Sequence, residues 1–187
     1  VALLDVDSDD DLDIYLVQGG VVDSSAEGAA AANQLFLNDG SGHFVLSPDA
    51  GAAENTSYGM GVATGDYDGD GDVDLYVTNL GANVLLANDG HGRFEDVTDR
   101  AGVGDDNWGT AAAFADLDGD HDLDLYVVNY LHWSLVAEKD CASRGSPTYC
   151  APTAYDRPAR DRLYRNNGDG SFSEVSAEAG LHKAFGN

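Results

Sequence analysis

One stretch occurs three times in this chain and constrains everything around it. It reads Asp66-Tyr67-Asp68-Gly69-Asp70-Gly71-Asp72-Val73-Asp74 and passes directly into Leu75-Tyr76-Val77-Thr78-Asn79. A second copy is Asp5-Val6-Asp7-Ser8-Asp9-Asp10-Asp11-Leu12-Asp13, followed by Ile14-Tyr15-Leu16-Val17. The third is Asp116-Leu117-Asp118-Gly119-Asp120-His121-Asp122-Leu123-Asp124, followed by Leu125-Tyr126-Val127-Val128. Carboxylates packed this densely repel one another unless a cation neutralises them. The apolar alternation that follows each copy reads as a strand. The chain is therefore a repeat protein whose unit carries a candidate cation loop.

Aligning the loops exposes a second repeated segment: Leu35-Phe36-Leu37-Asn38-Asp39-Gly40, Leu85-Leu86-Ala87-Asn88-Asp89-Gly90 and Leu163-Tyr164-Arg165-Asn166-Asn167-Gly168, each soon followed by a Phe (Phe44, Phe94, Phe172). Asn-Asp-Gly tolerates positive φ, so each reads as a hairpin turn between two short strands. An aromatic-Gly pair recurs as well, at Tyr58-Gly59, Trp108-Gly109 and Phe185-Gly186. The repeat is then strand A (58 to 65), aspartate loop, strand B (74 to 79), strand C (84 to 88), turn and strand D (94 to 97). Four short strands of this kind fit one β-propeller blade.

The expected fold is all-β: about three four-stranded blades over 1–57, 58–107 and 108–184, with 185–187 opening a fourth. Propellers close with typically 4–8 blades. The segment is thus expected to belong to a larger ring of roughly seven, with other blades of the same chain as its neighbours. Val1 is expected to lie inside a strand, with the natural N-terminus upstream. The turn Asn precedes the next loop by the same distance both times (Asn38 to Asp66, Asn88 to Asp116), whereas all length variation falls between strands B and C. In an up-and-down blade the A–B and C–D connections share one face. The insertions at 18–33 and 130–160 should therefore decorate the opposite face.

The loop spacing suits a hard cation. Carboxylates at positions 1, 3, 5 and 9 with a backbone carbonyl at 7 can wrap calcium, which takes six to eight oxygens. The candidate side-chain ligands are Asp5, Asp7, Asp9 and Asp13; Asp66, Asp68, Asp70 and Asp74; and Asp116, Asp118, Asp120 and Asp124. Asp11, Asp72 and Asp122 stand at the carbonyl position. About three Ca2+ ions, one per A–B loop, are expected. Position 6 holds Asp10, Gly71 and His121, residue types that visit the left-handed region most readily. An EF-hand is excluded, because its bidentate twelfth-position Glu is replaced by Leu16, Val77 and Val127. An acidic turn without an ion, or a magnesium site, are the alternatives.

Composition narrows the partners. The chain has 34 acidic and 9 basic residues, a formal charge of −25, which argues against nucleic acid. Apolar residues make up 43% of the chain in short punctuated runs, unlike a disordered acidic tail. No apolar run approaches the roughly 20 residues of a membrane-spanning helix. No G-x-S-x-G elbow or phosphate loop is present.

The D-x-D-x-D-G-x-x-D loop, the Leu-x-Asn-Asp-Gly-x-Gly-x-Phe turn and the aromatic-Gly pair resemble FG-GAP/VCBS repeats, the blades of integrin-α-type propellers. The GAP half of that name is unmatched, since Met60-Gly61-Val62 follows Tyr58-Gly59. Asn129-Tyr130, an insertion with Tyr149-Cys150, and the segment 161–172 resemble bacterial relatives of cartilage acidic protein, which often carry a C-terminal ASPIC/UnbV domain; none is visible in these residues. The resemblance implies a calcium-binding propeller that is secreted, periplasmic or at the cell surface, acting as a noncatalytic binding or adhesion module. Its alternative is an accessory or catalytic propeller domain of a carbohydrate- or lipid-active enzyme. A protein or glycan ligand would meet the face bearing the B–C insertions.

In such a compartment Cys141 and Cys150, the only cysteines, are expected to form a local disulfide, with a metal pair as the alternative. Six basic residues lie between 139 and 165: Lys139, Arg144, Arg157, Arg160, Arg162 and Arg165. They either balance neighbouring acids or form a patch for an anionic ligand. Tyr130, Trp133 and Tyr149 either stack on sugars or pack the insertion onto its blade. Tyr15, Tyr76, Tyr126, Phe44, Phe94 and Phe172 are expected in the inter-blade core.

Overall fold

The computed structural model describes residues 1–22, 31–143 and 145–181. Among them, three four-stranded antiparallel sheets follow one another along the chain. The first runs β1 (Ala2–Leu4), β2 (Asp13–Leu16), β3 (Gln34–Asn38) and β4 (Phe44–Leu46). The second runs β5 (Gly59–Gly65), β6 (Asp74–Asn79), β7 (Gly81–Asn88) and β8 (Phe94–Asp96), and is followed by the short helix α1 (Thr98–Ala101). In the third, β9 (Gly109–Ala115) and β10 (Asp124–Asn129) precede a two-stranded hairpin, β11 (Cys141–Ser143) and β12 (Ser146–Thr148). Strands β13 (Arg162–Asn166) and β14 (Phe172–Glu174) complete that sheet. Each sheet is a simple meander, so these are propeller-like blades. The aromatic-Gly pair at 185–186 and the start of a fourth blade lie outside the described residues.

Strand B of the middle blade shows why the blades must stack. All six residues of β6 are buried, although a strand with one wet face would alternate. Leu75, Val77, Val84, Leu86 and Phe94 pack with Leu4, Val6, Tyr15 and Leu35 of the first blade. On the other face Tyr76 and Leu85 pack with Leu125, Val127, Tyr164 and Phe172 of the third. Fully burying one such side chain stabilises by about 1.5–3 kcal/mol, so the two inter-blade seams form the core.

The seams also carry hydrogen bonds and close backbone approaches. Between the first two blades, the Ala52 N–H donates to the Phe94 carbonyl (2.8 Å) and the Phe94 N–H to the Ala50 carbonyl (3.2 Å). Gly51 between them has φ +62°, and a Cβ there would lie 2.5 Å from the Phe94 carbonyl oxygen. Between the second and third blades β5 lies along β9, where a Cβ on Gly65 would sit 3.0 Å from the Phe114 side chain.

Two expectations need correction. Phe94 and Phe172 are buried, but Phe44 is exposed and β4 has no buried residue. Each strand-D Phe packs on the preceding blade, and no described residue precedes the first blade on that side. Tyr126 is only half-buried for the converse reason, because no described blade follows the third on its outer face. Strand C of the second blade also begins three residues earlier than expected, at Gly81. Asn83 Oδ1 accepts the Asn79 N–H (2.7 Å) and tightens the β6–β7 connection. Helix α1 had no periodic signal in the sequence.

Gly51→Ala should destabilise the chain by about 1–3 kcal/mol more than Gly42→Ala in urea denaturation. Both positions have positive φ, but open space surrounds Gly42 whereas backbone from the next blade crowds Gly51.

Candidate metal centre

The three aspartate loops share one geometry, set by Asx-type bonds from side chain to backbone. Position 1 holds the turn: Asp66 accepts the Gly69 and Gly71 N–H groups (2.8 and 3.1 Å), and Asp116 accepts those of Gly119 and His121 (2.7 and 3.2 Å). Asp5 accepts from Asp9 and Asp10 (3.2 and 3.0 Å). These bonds wind position 6 into the left-handed region as expected, at Asp10 (φ 70°), Gly71 (97°) and His121 (78°). Position 4 is left-handed too, at Ser8, Gly69 and Gly119. Two glycines in three copies were the available clue. At position 5, Asp9, Asp70 and Asp120 each accept the N–H of position 7 through Oδ1.

Position 9 has a different task. Asp13, Asp74 and Asp124 are buried, and both carboxylate oxygens of each are bonded to backbone. Oδ2 accepts the N–H of loop position 2 (Val6, Tyr67, Leu117), and Oδ1 accepts the N–H of the turn asparagine (Asn38, Asn88, Asn166), all within 2.8–3.2 Å. Burial pushes the Asp74 carboxyl up to about 7, against the lowering pull of its two backbone bonds. The turn asparagine then reaches across the seam: Asn88 Nδ2 donates to the Val6 carbonyl (3.0 Å) and Asn166 Nδ2 to the Tyr67 carbonyl (2.7 Å). Position-7 side chains Asp11, Asp72 and Asp122 lean against the turn glycines Gly40, Gly90 and Gly168. The A–B loops and C–D turns thus meet on one face.

Carboxylate oxygens converge in each loop. Asp5, Asp7 and Asp13 form one group, Asp66, Asp68 and Asp70 a second, and Asp116, Asp118 and Asp120 a third, each with ligand atoms within 4.8 Å of one another. Asp9, Asp74 and Asp124 stand outside these groups. The position-3 carboxyls of Asp7, Asp68 and Asp118 are all raised, first by desolvation and then by repulsion from Asp9, Asp70 and Asp120. Asp7 Oδ1 is buried without a hydrogen-bond partner.

The B–C connections and D–A linkers meet on the other face. Two adjoining pockets of about 450 and 350 Å3 open there and share Val22, Tyr58, Leu80, Trp108 and Trp133. The insertion of the third blade builds one wall. Its two cysteines form a disulfide, Cys141 to Cys150, with Cα atoms 5.2 Å apart. The bridge staples the end of the β11–β12 hairpin. Trp133, Tyr130 and Tyr149 all line the smaller pocket, as do Tyr155 and Glu138, which carried no repeat signal in the sequence. Two members of the basic run have partners within the blade. Arg162 lies between Asp105 (3.8 Å) and Glu174 (3.7 Å), Lys139 donates to the Ala154 carbonyl, and Arg144 lies outside the described residues.

The family model described as FG-GAP-like repeat matches the chain twice, over residues 5–77 and 66–127. The chain belongs to the FG-GAP-like repeat family. No curated protein matches it. Both FG-GAP matches begin at the first aspartate of a loop and run into a following strand B, so each spans strands B to D of one blade and strand A, the loop and part of strand B of the next. Such repeats build binding modules. No helix of the described residues is long and apolar enough to cross a membrane, and the disulfide fits an oxidising compartment.

In chelator, Asp124→Asn should lower the unfolding free energy by about 1–3 kcal/mol, because one buried backbone N–H loses its acceptor. Asp118→Asn should raise the urea midpoint under the same conditions, because it relieves repulsion in an exposed cluster.

Proposed function

We propose that this chain is a calcium-braced, noncatalytic binding module working outside the cytoplasm, as a secreted, periplasmic or cell-surface protein. The observation that carries this reading is the threefold convergence of carboxylate oxygens on one face. The donor set is all oxygen, and hard cations such as calcium take such sets. The unsatisfied Asp7 Oδ1 and the raised position-3 carboxyls are what a cation would relieve. Asp5, Asp7 and Asp13, Asp66, Asp68 and Asp70, and Asp116, Asp118 and Asp120 would hold the three ions, with Asp9, Asp74, Asp124 and the position-7 carbonyls available to complete them. Bound calcium would neutralise the loops. The position-9 carboxylates meanwhile hold each loop to its turn.

A protein or glycan ligand would meet the opposite face, where the third blade's insertion and both pockets lie. Further blades of the same protein would cover the open faces at Phe44 and Leu117 and complete a ring of roughly seven. The long, disulfide-closed insertion supports kinship with bacterial relatives of cartilage acidic protein.

Calcium at a hundredfold excess over Kd should raise the thermal midpoint by about 5 °C or more, since one site contributes about 2.7 kcal/mol by linkage. Equal midpoints in chelator and in millimolar calcium would overturn the assignment. Calorimetric titration of Asp66→Asn should show one weakened site and two unchanged ones, because each loop closes within its own blade.

A further inference from the structure

Six aromatic residues line the smaller pocket: Tyr58, Trp108, Tyr130, Trp133 and Tyr155 form its walls and the fully exposed Tyr149 stands at its rim. Their rings do not form a stack. Trp108 meets Tyr130 at 85° with centroids 5.3 Å apart, and meets Trp133 at 66° with centroids 5.9 Å apart. Steeply inclined rings make the walls of a box. Among the described residues Glu138 is the only charged side chain lining it. Its carboxylate is fixed by two donors, the Trp133 Nε1–H on Oε2 and the Tyr155 hydroxyl on Oε1 (2.8 Å).

Among the described residues no lysine or arginine lines the pocket. The Lys139 ammonium donates to the Ala154 carbonyl and lies 5.8 Å from the centroid of the Tyr155 ring. A negative formal charge of 25 surrounds the site. Aromatic faces attract cations through their quadrupoles, most strongly where water is excluded. Apart from that carboxylate, which already accepts two bonds, the hydrogen-bonding groups of the lining side chains are tyrosine hydroxyls and indole N–H groups, so among the described residues the full charge a ligand would meet is negative. At about 350 Å3 the cavity falls within the ordinary range for small-molecule sites.

We infer that this aromatic box binds a small N-methylated ammonium compound, with Glu138 as its counter-charge. The inference rests on the reading that the insertion-bearing face is the binding face. The disulfide serves the same site, because it tethers the hairpin on which Tyr149 and Cys150 form the rim.

The chain has two tryptophans, and both line the box, so intrinsic tryptophan fluorescence reads its occupancy directly. The 187-residue chain in millimolar calcium would be titrated with choline, with its uncharged isostere 3,3-dimethylbutan-1-ol, and with the neutral oligosaccharide cellohexaose. Choline should quench or shift the emission and bind at least about tenfold more tightly than the isostere. Glu138→Gln, an isosteric change at an exposed position, should weaken choline several-fold and leave the isostere unchanged. Reduction of the disulfide should weaken both. Equal affinity for choline and the isostere, or no effect of Glu138→Gln, would overturn the cation site. Binding of cellohexaose without choline would overturn it too while leaving the binding face in place. Failure of all three ligands would count against both.

Discussion

A buried carboxylate that spends both oxygens on backbone amides is the joint on which each blade turns. Burying an ionised group is costly unless it is fully hydrogen-bonded, and Asp13, Asp74 and Asp124 each meet that condition by bridging two segments far apart in sequence. The bridge pins the aspartate loop to the C–D turn of the same blade. It also presents the turn asparagine at the seam, where Asn88 and Asn166 donate to the carbonyl of loop position 2 in the preceding blade. Loop shape, blade closure and blade-to-blade contact are therefore one network. The cation cluster sits on its solvent side.

Much of this could be read in the residues because the repeat makes its own alignment. Strand B emerges at its observed bounds, Asp74–Asn79 and Asp124–Asn129, since the loop ends abruptly and period-two alternation begins. The left-handed turn at position 6 followed from residue type alone. What a repeat cannot encode is a residue's position in the array. Phe44, Phe94 and Phe172 are equivalent in sequence, yet Phe44 is exposed because burial depends on the neighbour. Tyr126 differs from Tyr15 and Tyr76 for the same reason, and there an aspartate, Asp161, receives its hydroxyl (2.8 Å).

The division of ligands within the loop was legible only in part. Spacing named all fifteen aspartates but could not separate those that converge on a common point from those that brace the backbone. That distinction depends on which side of the loop meets the turn hairpin, a contact formed by residues some twenty to fifty positions later. Glu138 and Tyr155 were invisible for another reason. They lie in an insertion with no counterpart in the other blades, and only the folded hairpin sets them beside Trp108 of the preceding linker.

Because the position-9 joint closes each blade on one face, the connection on the other face adds length at little thermodynamic cost. Loop-closure entropy grows only logarithmically. Extending the span from loop to turn asparagine from that of the second blade (Asp66 to Asn88) to that of the third (Asp116 to Asn166) costs about 0.7 kcal/mol on that basis. The cross-link between Cys141 and Cys150 recovers some of this by shortening the free segment. Each blade thus offers a socket into which foreign segments can be grafted without disturbing the strands below, and the third blade has already been fitted with one.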